Sequence, residues 1–396
     1  MIAPLLPGQT LGILGGGQLG RMMTAVARRM GLRVKVAAEP GTQAAQSLAD
    51  ETVTLSQEDP RDWERFVAGC DRVTYESENW SAELLERIAE RTVLSPNVAL
   101  QRAAQHRLDE KRFVASVGAP VVPYLPVTDA AELARAGSTA RFPGVLKTAR
   151  FGYDGKGQEK VASAVELAAA WETFGRVECV LEELVSIDAE FSVIGCRDTH
   201  GRIVSYGPLL NVHHRHVLDI TVSHPRLPDG LADDAIEIVR AVLERLDAVG
   251  TLCIEFFVCG GKLFVNEMAP RPHNSGHLTI EGSIASQFEN HVRAVAGWPL
   301  GDGTLRQPAA MVNLLGDVWT HGEPAWERLF ELPDVHLHLY GKSEAKPGRK
   351  MGHVTALAES PLAAAQAAFD ARRRLLSGPD DDRVRRHLDR SVLDWI

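Results

Sequence analysis

Apolar residues recur along this chain with a period that changes from segment to segment, and the order of those changes predicts the architecture. From Gln9 to about Gln105, short β-like runs (TLGILG, RVKVAAE, ETVTL and DRVTYE) alternate with helical apolar spacing over Leu19–Met30, Pro60–Ala68 and Ala82–Glu90. That alternation is the signature of a parallel α/β unit. A helical stretch, Ala103–Val117, then stops at the breakers Gly118-Ala119-Pro120. Next come a strand running into a glycine-rich loop in PGVLKTARFGYDGKGQ, a helix over Ser163–Phe174 and the strand CVLEEL. Alternating strands fill Glu190–Val222, an amphipathic helix covers Leu231–Leu246, and two apolar strands, TLCIEFFV and LFVNEMAP, follow. After a helix over Ile284–Ala296, the segment Trp298–Pro308 reads as a linker to the strands AAMVNLL, DVHLHLY and KMGHVTAL. The chain is therefore expected to combine α/β and α+β parts. A Rossmann-like domain is expected over 1–105, a central domain over 106–300 with a glycine-rich lid at about 145–185, and a small β-rich domain over 301–396.

Composition narrows the class. A chain of 396 residues exceeds the length at which one core keeps growing, and 45% hydrophobic with 24% charged residues suits an ordinary folded protein. A net charge of −9 argues against a nucleic-acid partner, which calls for basic patches. The five scattered cysteines lack metal-ligand spacing, and no apolar stretch is long enough for a bilayer or a secretory signal. A soluble cytoplasmic protein with no membrane partner is expected.

Glu255 and Glu267 lie inside the most apolar strands, where a carboxylate is costly to bury unless a cation or strong donor meets it. A two-residue turn at Gly260-Gly261 would set Glu255 opposite Asn266 and turn Glu267 to the other face. A three-residue turn, Gly260 to Lys262, sets the glutamates opposite each other, and that register is the one expected. Paired on one face they suit a hard cation such as Mg²⁺ bound to nucleotide phosphates, with Mn²⁺ as a substitute. An exposed edge strand, with one or both glutamates in solvent, is the other reading of this hairpin.

Two glycine-rich turns carry further chemistry. Gly15, Gly17 and Gly20 form GxGxxG between a strand and a helix, with Glu39 at the end of the next strand, which satisfies the dinucleotide fingerprint. On this segment alone an NAD(P)-dependent dehydrogenase is the first reading, and a turn needed only for packing ranks below it. Downstream, Gly152, Gly155 and Gly157 in FGYDGKGQ permit a loop that closes over polyphosphate, with Lys156 in the loop and Lys147 on the preceding strand adding charge. A solvent-exposed hairpin tip is the plainer alternative there.

The order Arg107, Lys147, glycine loop, Glu182, Glu255, Glu267 resembles the ATP-grasp ligases. Within them the strings GILGGGQLGRM, VTYESEN, GYDGKGQ, NEMAPRPHNSGH and KPGRKMGH are most similar to the N5-carboxyaminoimidazole ribonucleotide synthetases of purine biosynthesis. The resemblance covers nearly all of the chain. It implies an ATP-grasp central domain, a homodimer, and the substrates ATP, bicarbonate and aminoimidazole ribonucleotide, which react through carboxyphosphate. ATP would meet Arg107, Lys147, the loop Gly152, Tyr153, Asp154, Gly155, Lys156, Gly157 and Gln158, the hinge Glu182, Glu183, Leu184 and Val185, and Glu190, His214, Asn266 and Glu267. Glu255 and Glu267 would hold Mg²⁺. The ribonucleotide would meet Gln18, Leu19, Glu76 and Asn274, with its phosphate on Lys342, Arg349 and Lys350. Tyr153, Asp154 and Glu76 would stand nearest the reacting groups. Phe151 departs from the family pattern, in which another glycine is common before GYDGKGQ.

Overall fold

A computed structural model describes residues 3–42, 44–56, 61–152, 155–376 and 393–396. The N-terminal unit is a parallel sheet of β1 (Thr10–Leu14), β2 (Arg33–Ala38), β3 (Glu51–Thr54), β4 (Arg72–Tyr75) and β5 (Val93–Leu94), in the order β3-β2-β1-β4-β5. The order reverses between β1 and β4, so the carboxyl ends of these two strands open the crevice where such sheets bind ligands. At its centre β1 and β4 are almost wholly buried, as strands covered on both faces are.

A second sheet carries β6 (Tyr124–Val127), β7 (Gly144–Thr148), β8 (Gln158–Val161) and β9 (Cys179–Glu183), all antiparallel, in the order β6-β9-β7-β8. The third and largest sheet runs β14 (Lys262–Ala269), β13 (Gly250–Cys259), β10 (Ala189–Arg197), β11 (Ile203–His214), β12 (Val217–Ser223), β15 (Ala309–Leu315), β17 (Lys350–Leu357) and β16 (Val335–Leu339). Its β12–β15 pairing joins the strands after the expected linker to those before it. The C-terminal strands thus extend the central sheet, and one apolar core runs from Phe191 and Phe256 to Val354 and Ala368.

The helical stretch expected over Ala103–Val117 is divided at His106, whose backbone is extended, into Val98–Gln105 and Arg107–Ser116. At the break, the Arg107 N–H donates to the Ala149 carbonyl at 2.9 Å, which seats the second helix against the end of β7. Buried ion pairs fasten the periphery: Arg372 grips Asp219 at 2.6 and 3.2 Å, fixing the C-terminal helix on β12.

His291 joins the N-terminal and central units. Its Nδ1 accepts from the Thr251 N–H at 3.2 Å, so its Nε2 carries the proton and donates to Thr74 Oγ1 at 2.8 Å. Burial pushes the imidazole down to about 3. An unfolded histidine titrates near 6.5, so this neutral ring contributes stability that is complete above pH 6.5 and declines as pH falls toward 3. Between pH 7 and pH 5 the wild type is expected to lose about 2 kcal/mol more than His291→Gln. Urea unfolding of both proteins at the two pH values measures the difference, and equal losses would remove His291 from the acid response.

Candidate active site

The first glycine turn is already filled by the protein. β4 lies beside β1, so the residue after it, Glu76, projects into the turn after β1. The Gly17 N–H donates to Glu76 Oε1, and the Gly20 N–H to Oε2 at 2.5 Å. A Cβ on Gly15 would lie 2.2 Å from Glu76 Cγ, and one on Gly20 would lie 3.1 Å from Oε2. The glycines therefore admit an internal anion at the start of the helix Gln18–Arg29, where a dinucleotide would need to place its pyrophosphate. This geometry overturns the dehydrogenase reading. It also gives Glu76 a first role in holding the turn, with both oxygens engaged there. Burial raises its carboxyl above the usual range even so. Gly15, Gly16, Glu39, Thr42, Glu76, Ser77, Asn79 and Trp80 line an open pocket of about 190 Å³ at the sheet's switch point.

The hairpin β13–β14 corrects the expected turn. Cys259 pairs with Lys262, leaving a two-residue turn at Gly260 (φ 56°) and Gly261 (φ 72°), a left-handed pair that suits glycine. That register continues to Phe256 opposite Val265 and would place Glu255 against Asn266. Instead β14 bulges by one residue at Asn266, and Glu255 faces Glu267. The paired glutamates exist because of the bulge and not because of the turn.

Around this pair the side-chain donors stand at the long end of hydrogen-bond range. Arg107 Nη1 lies 3.3 Å from Glu267 Oε2, and His273 Nε2 lies 3.5 Å from Glu255 Oε1. Burial, with Glu267 next, pushes the Glu255 carboxyl up to about 7. A site that resists its own negative charge fits a divalent cation. Among the described residues no group of three or more His, Cys, Asp or Glu gathers at metal-ligand spacing. Two carboxylates are what the protein offers, so phosphate and water oxygens would complete the shell.

Alternation along the strands decides which histidine joins them. Glu190 on β10 faces Asn211 on β11, so His213 shares its face and His214 turns to the exposed one. His213 Nδ1 reaches Glu190 Oε2 at 2.6 Å. Burial opposes a charge on His213, but the hydrogen bond to Glu190 outweighs it and pushes the ring up to about 9. The histidine that meets Glu190 is thus His213, while the expected His214 lies on the other face of β11.

Glu182 sits between Lys147 and Lys111, at 2.7 Å from each. Burial alone would raise its carboxyl; Lys147 and Lys111 hold it down to about 2. Its side chain is therefore bound by lysines, and at the hinge the Glu183 and Leu184 N–H groups donate to the Pro123 and Pro143 carbonyls at 3.0 and 3.2 Å. The glycine loop spans β7 to β8 over Arg107: a Cβ on Gly152 would lie 3.6 Å from Arg107 Nη2, and Gln158 Nε2 is 3.2 Å from His216 Nδ1. Gly155 has φ 80° and Gly157 φ 69°, and Lys156 lies between them. Phe151 also adopts a left-handed φ of 60°, a strained geometry for a bulky side chain and one that glycine would take freely. Tyr153 and Asp154 lie outside the described residues.

Lys342 Nζ donates to Gln18 Oε1 at 3.1 Å and to the Lys350 carbonyl at 2.6 Å, bringing the first helix to the start of β17. Arg349 Nη1 donates to the Glu344 carbonyl at 2.9 Å in the same turn. Asn274 is buried, and neither polar atom of its amide has a hydrogen-bond partner among the described residues. Leu19 packs its side chain in the N-terminal core, so a ligand could meet only its backbone.

Residues 8–105 match the ribonucleotide synthetase preATP-grasp domain, 112–288 the ATP-grasp domain, and 309–367 the phosphoribosylaminoimidazole carboxylase C-terminal domain. The N5-carboxyaminoimidazole ribonucleotide synthase of Bacillus subtilis is 39% identical over 352 residues, 89% of this chain and 92% of that one. This chain belongs to the N5-carboxyaminoimidazole ribonucleotide synthase family. The Brucella melitensis synthase is also 39% identical, over 89% of this chain and 97% of its own. A crystal structure of an ADP complex of the synthetase superposes with a TM-score of 0.87 at 35% identity, covering 94% of this chain and 98% of that one. The Aspergillus clavatus synthase in complex with ADP and 5-aminoimidazole ribonucleotide does so at 0.82 and 28% identity, covering 92% and 98%. Like its family, the chain is an ATP-grasp ligase.

Several site residues escaped the sequence reading. Lys111 and Glu110 share a helical face with Arg107, a spacing that could have been used. Glu110 accepts from the Met268 N–H at 3.3 Å, and burial pushes its carboxyl up to about 8. Arg271 clasps Glu78 at 2.5 and 2.8 Å, tying the loop after β14 to the loop after β4. No local pattern announces that contact. Gly15→Ala is expected to destabilise the protein by about 2 kcal/mol or more, since its Cβ has no room beside Glu76. In a Glu76→Ala background the same change is expected to cost less. Additive losses in thermal or urea unfolding would show that the turn is not built around Glu76.

Proposed function

We propose that this chain carboxylates the exocyclic amine of 5-aminoimidazole ribonucleotide, forming N5-carboxyaminoimidazole ribonucleotide for purine biosynthesis, with ATP driving the reaction and bicarbonate as the carbon source. The observation that carries the reading is the bulge-built pair Glu255–Glu267 facing Arg107, with Lys147 and the glycine loop beside it.

Glu255 and Glu267 would hold Mg²⁺ or Mn²⁺, which would neutralise phosphate charge when bound. Lys147 and Arg107, with amides of the loop Gly152–Gln158, meet the γ-phosphate as a bicarbonate oxygen attacks it and ADP leaves. Carboxyphosphate is the product of that step. The hinge Glu183–Val185 receives the adenine edge, and Glu190 with His213 faces the ribose. The amine nitrogen then attacks the carbon of carboxyphosphate, or of the CO₂ that it releases, and inorganic phosphate leaves. Asp154 takes the amine proton while Tyr153 orients the carboxyl group. Gln18, Asn274 and the backbone at Leu19 hold the ribonucleotide against the Glu76 turn, and Lys342, Arg349 and Lys350 take its phosphate. A loop that closes over these groups protects the labile intermediate from water.

The five cysteines form no disulfide, which supports a reducing, cytoplasmic setting. Among the described residues no helix is long and apolar enough to cross a membrane. A homodimer follows from the likeness to the family.

ADP release from ATP should require both bicarbonate and aminoimidazole ribonucleotide; equal release without the ribonucleotide would overturn the substrate assignment. Asp154→Asn is expected to abolish carboxylation while nucleotide affinity survives, and unchanged turnover would remove Asp154 from the mechanism. Glu255→Gln and Glu267→Gln are each expected to cut cation-dependent ADP release by about tenfold or more, because one carboxylate is left where two would hold the cation, whereas Asn266→Ala, which keeps both carboxylates and the bulge, should retain more. Full activity in either glutamine variant would show that the pair is not needed.

A further inference from the structure

Lys111 stands one helical turn from Arg107, on the helix face that packs toward β6 and β9. It is 2% exposed, and its Nζ lies 2.7 Å from Glu182 Oε1 and 5.5 Å from the centre of the Tyr124 ring. Tyr124 is the cross-strand neighbour of Glu182, so carboxylate and aromatic face fix the ammonium from two sides. Lys147 reaches the other oxygen of the same carboxylate at 2.7 Å. The trio carries one net positive charge, shared out by a single buried anion.

That sharing matters for Lys147. A buried carboxylate with one lysine as its only cation holds that lysine strongly, because separation strands a charge in a medium of low polarity. With a second, permanently seated lysine, the first can leave without stranding the anion. We propose that Lys111 is a positioning residue for ATP: it keeps Glu182 neutralised, so that Lys147 is free to turn from Glu182 to the nucleotide phosphates. Lys111 touches no substrate in this account, and its effect passes through Glu182 to Lys147. The inference rests on the assignment of Lys147 to ATP made above.

The test is the steady-state KM for ATP, read beside the KM for aminoimidazole ribonucleotide, in the full chain. Lys111→Met should raise the KM for ATP about tenfold or more and leave that for the ribonucleotide within about twofold. Lys111→Arg, which keeps the charge, should recover most of the loss. Glu182→Gln should recover it too when added to Lys111→Met, since the anion that traps Lys147 is then gone. A purely structural role for Lys111 would make the double variant worse than either single one. Where Lys111→Met unfolds, Lys111→Gln in the same two backgrounds gives the same comparison with a side chain that still donates to Glu182. An unchanged KM for ATP in the uncharged variant, or additive losses in the double one, overturns the proposal. Absence of ribonucleotide-dependent ADP release in the wild type would instead overturn the assignment on which it rests.

Discussion

A carboxylate removed from water must be met by a cation or by N–H donors, and this fold is organised by how it meets that demand. Glu76 is answered by the amides of the first glycine turn, Glu78 by Arg271, Glu182 by two lysines and Glu190 by His213. Each of these pairs joins separate elements, so satisfying the charge also fixes the geometry. The pair at Glu255 and Glu267 differs: it has more negative charge than the surrounding side chains compensate, and burial with mutual repulsion drives Glu255 up. A site left short of positive charge inside an otherwise compensated protein is a site prepared for a ligand.

Position in the sheets explains how so many charges reach one place. The helix Arg107–Ser116 carries Arg107 to Glu267, Glu110 to β14 and Lys111 to β9, so one helix face serves two sheets. The glycine loop extends from the smaller sheet toward the turn between β11 and β12 at His216. The paired glutamates, Arg107, Lys147 and Lys111 therefore gather between the two sheets. The cavity beside Glu76 and the lysines at the start of β17 lie on the side of the N-terminal domain. Lys342 to Gln18 and Arg271 to Glu78 bridge that boundary.

Much was legible in the sequence where the signal was local. The parallel N-terminal unit, the glycine loops, the hairpin strands and the family strings all depend on spacing within a few residues, and the three family matches agree with them. The hairpin shows the limit of that kind of reading. Glu255 and Glu267 were expected to face each other, and they do, but through a bulge at Asn266 that turn length cannot foretell. His213 and His214 show it again: which neighbour faced the site depended on the partner strand that set the alternation.

The sequence alone determined the order of elements, the supply of charged groups and the turns where only glycine fits, because these follow from periodicity and steric limits along the backbone. Tertiary structure decided which charges meet. It placed Glu76 in the glycine turn that had the form of a dinucleotide site, seated Lys111 and Lys147 on one carboxylate, and continued the central sheet into the C-terminal strands. Those outcomes depend on contacts between residues far apart in the chain, where burial sets the strength of each charge and the sheet register sets its partner.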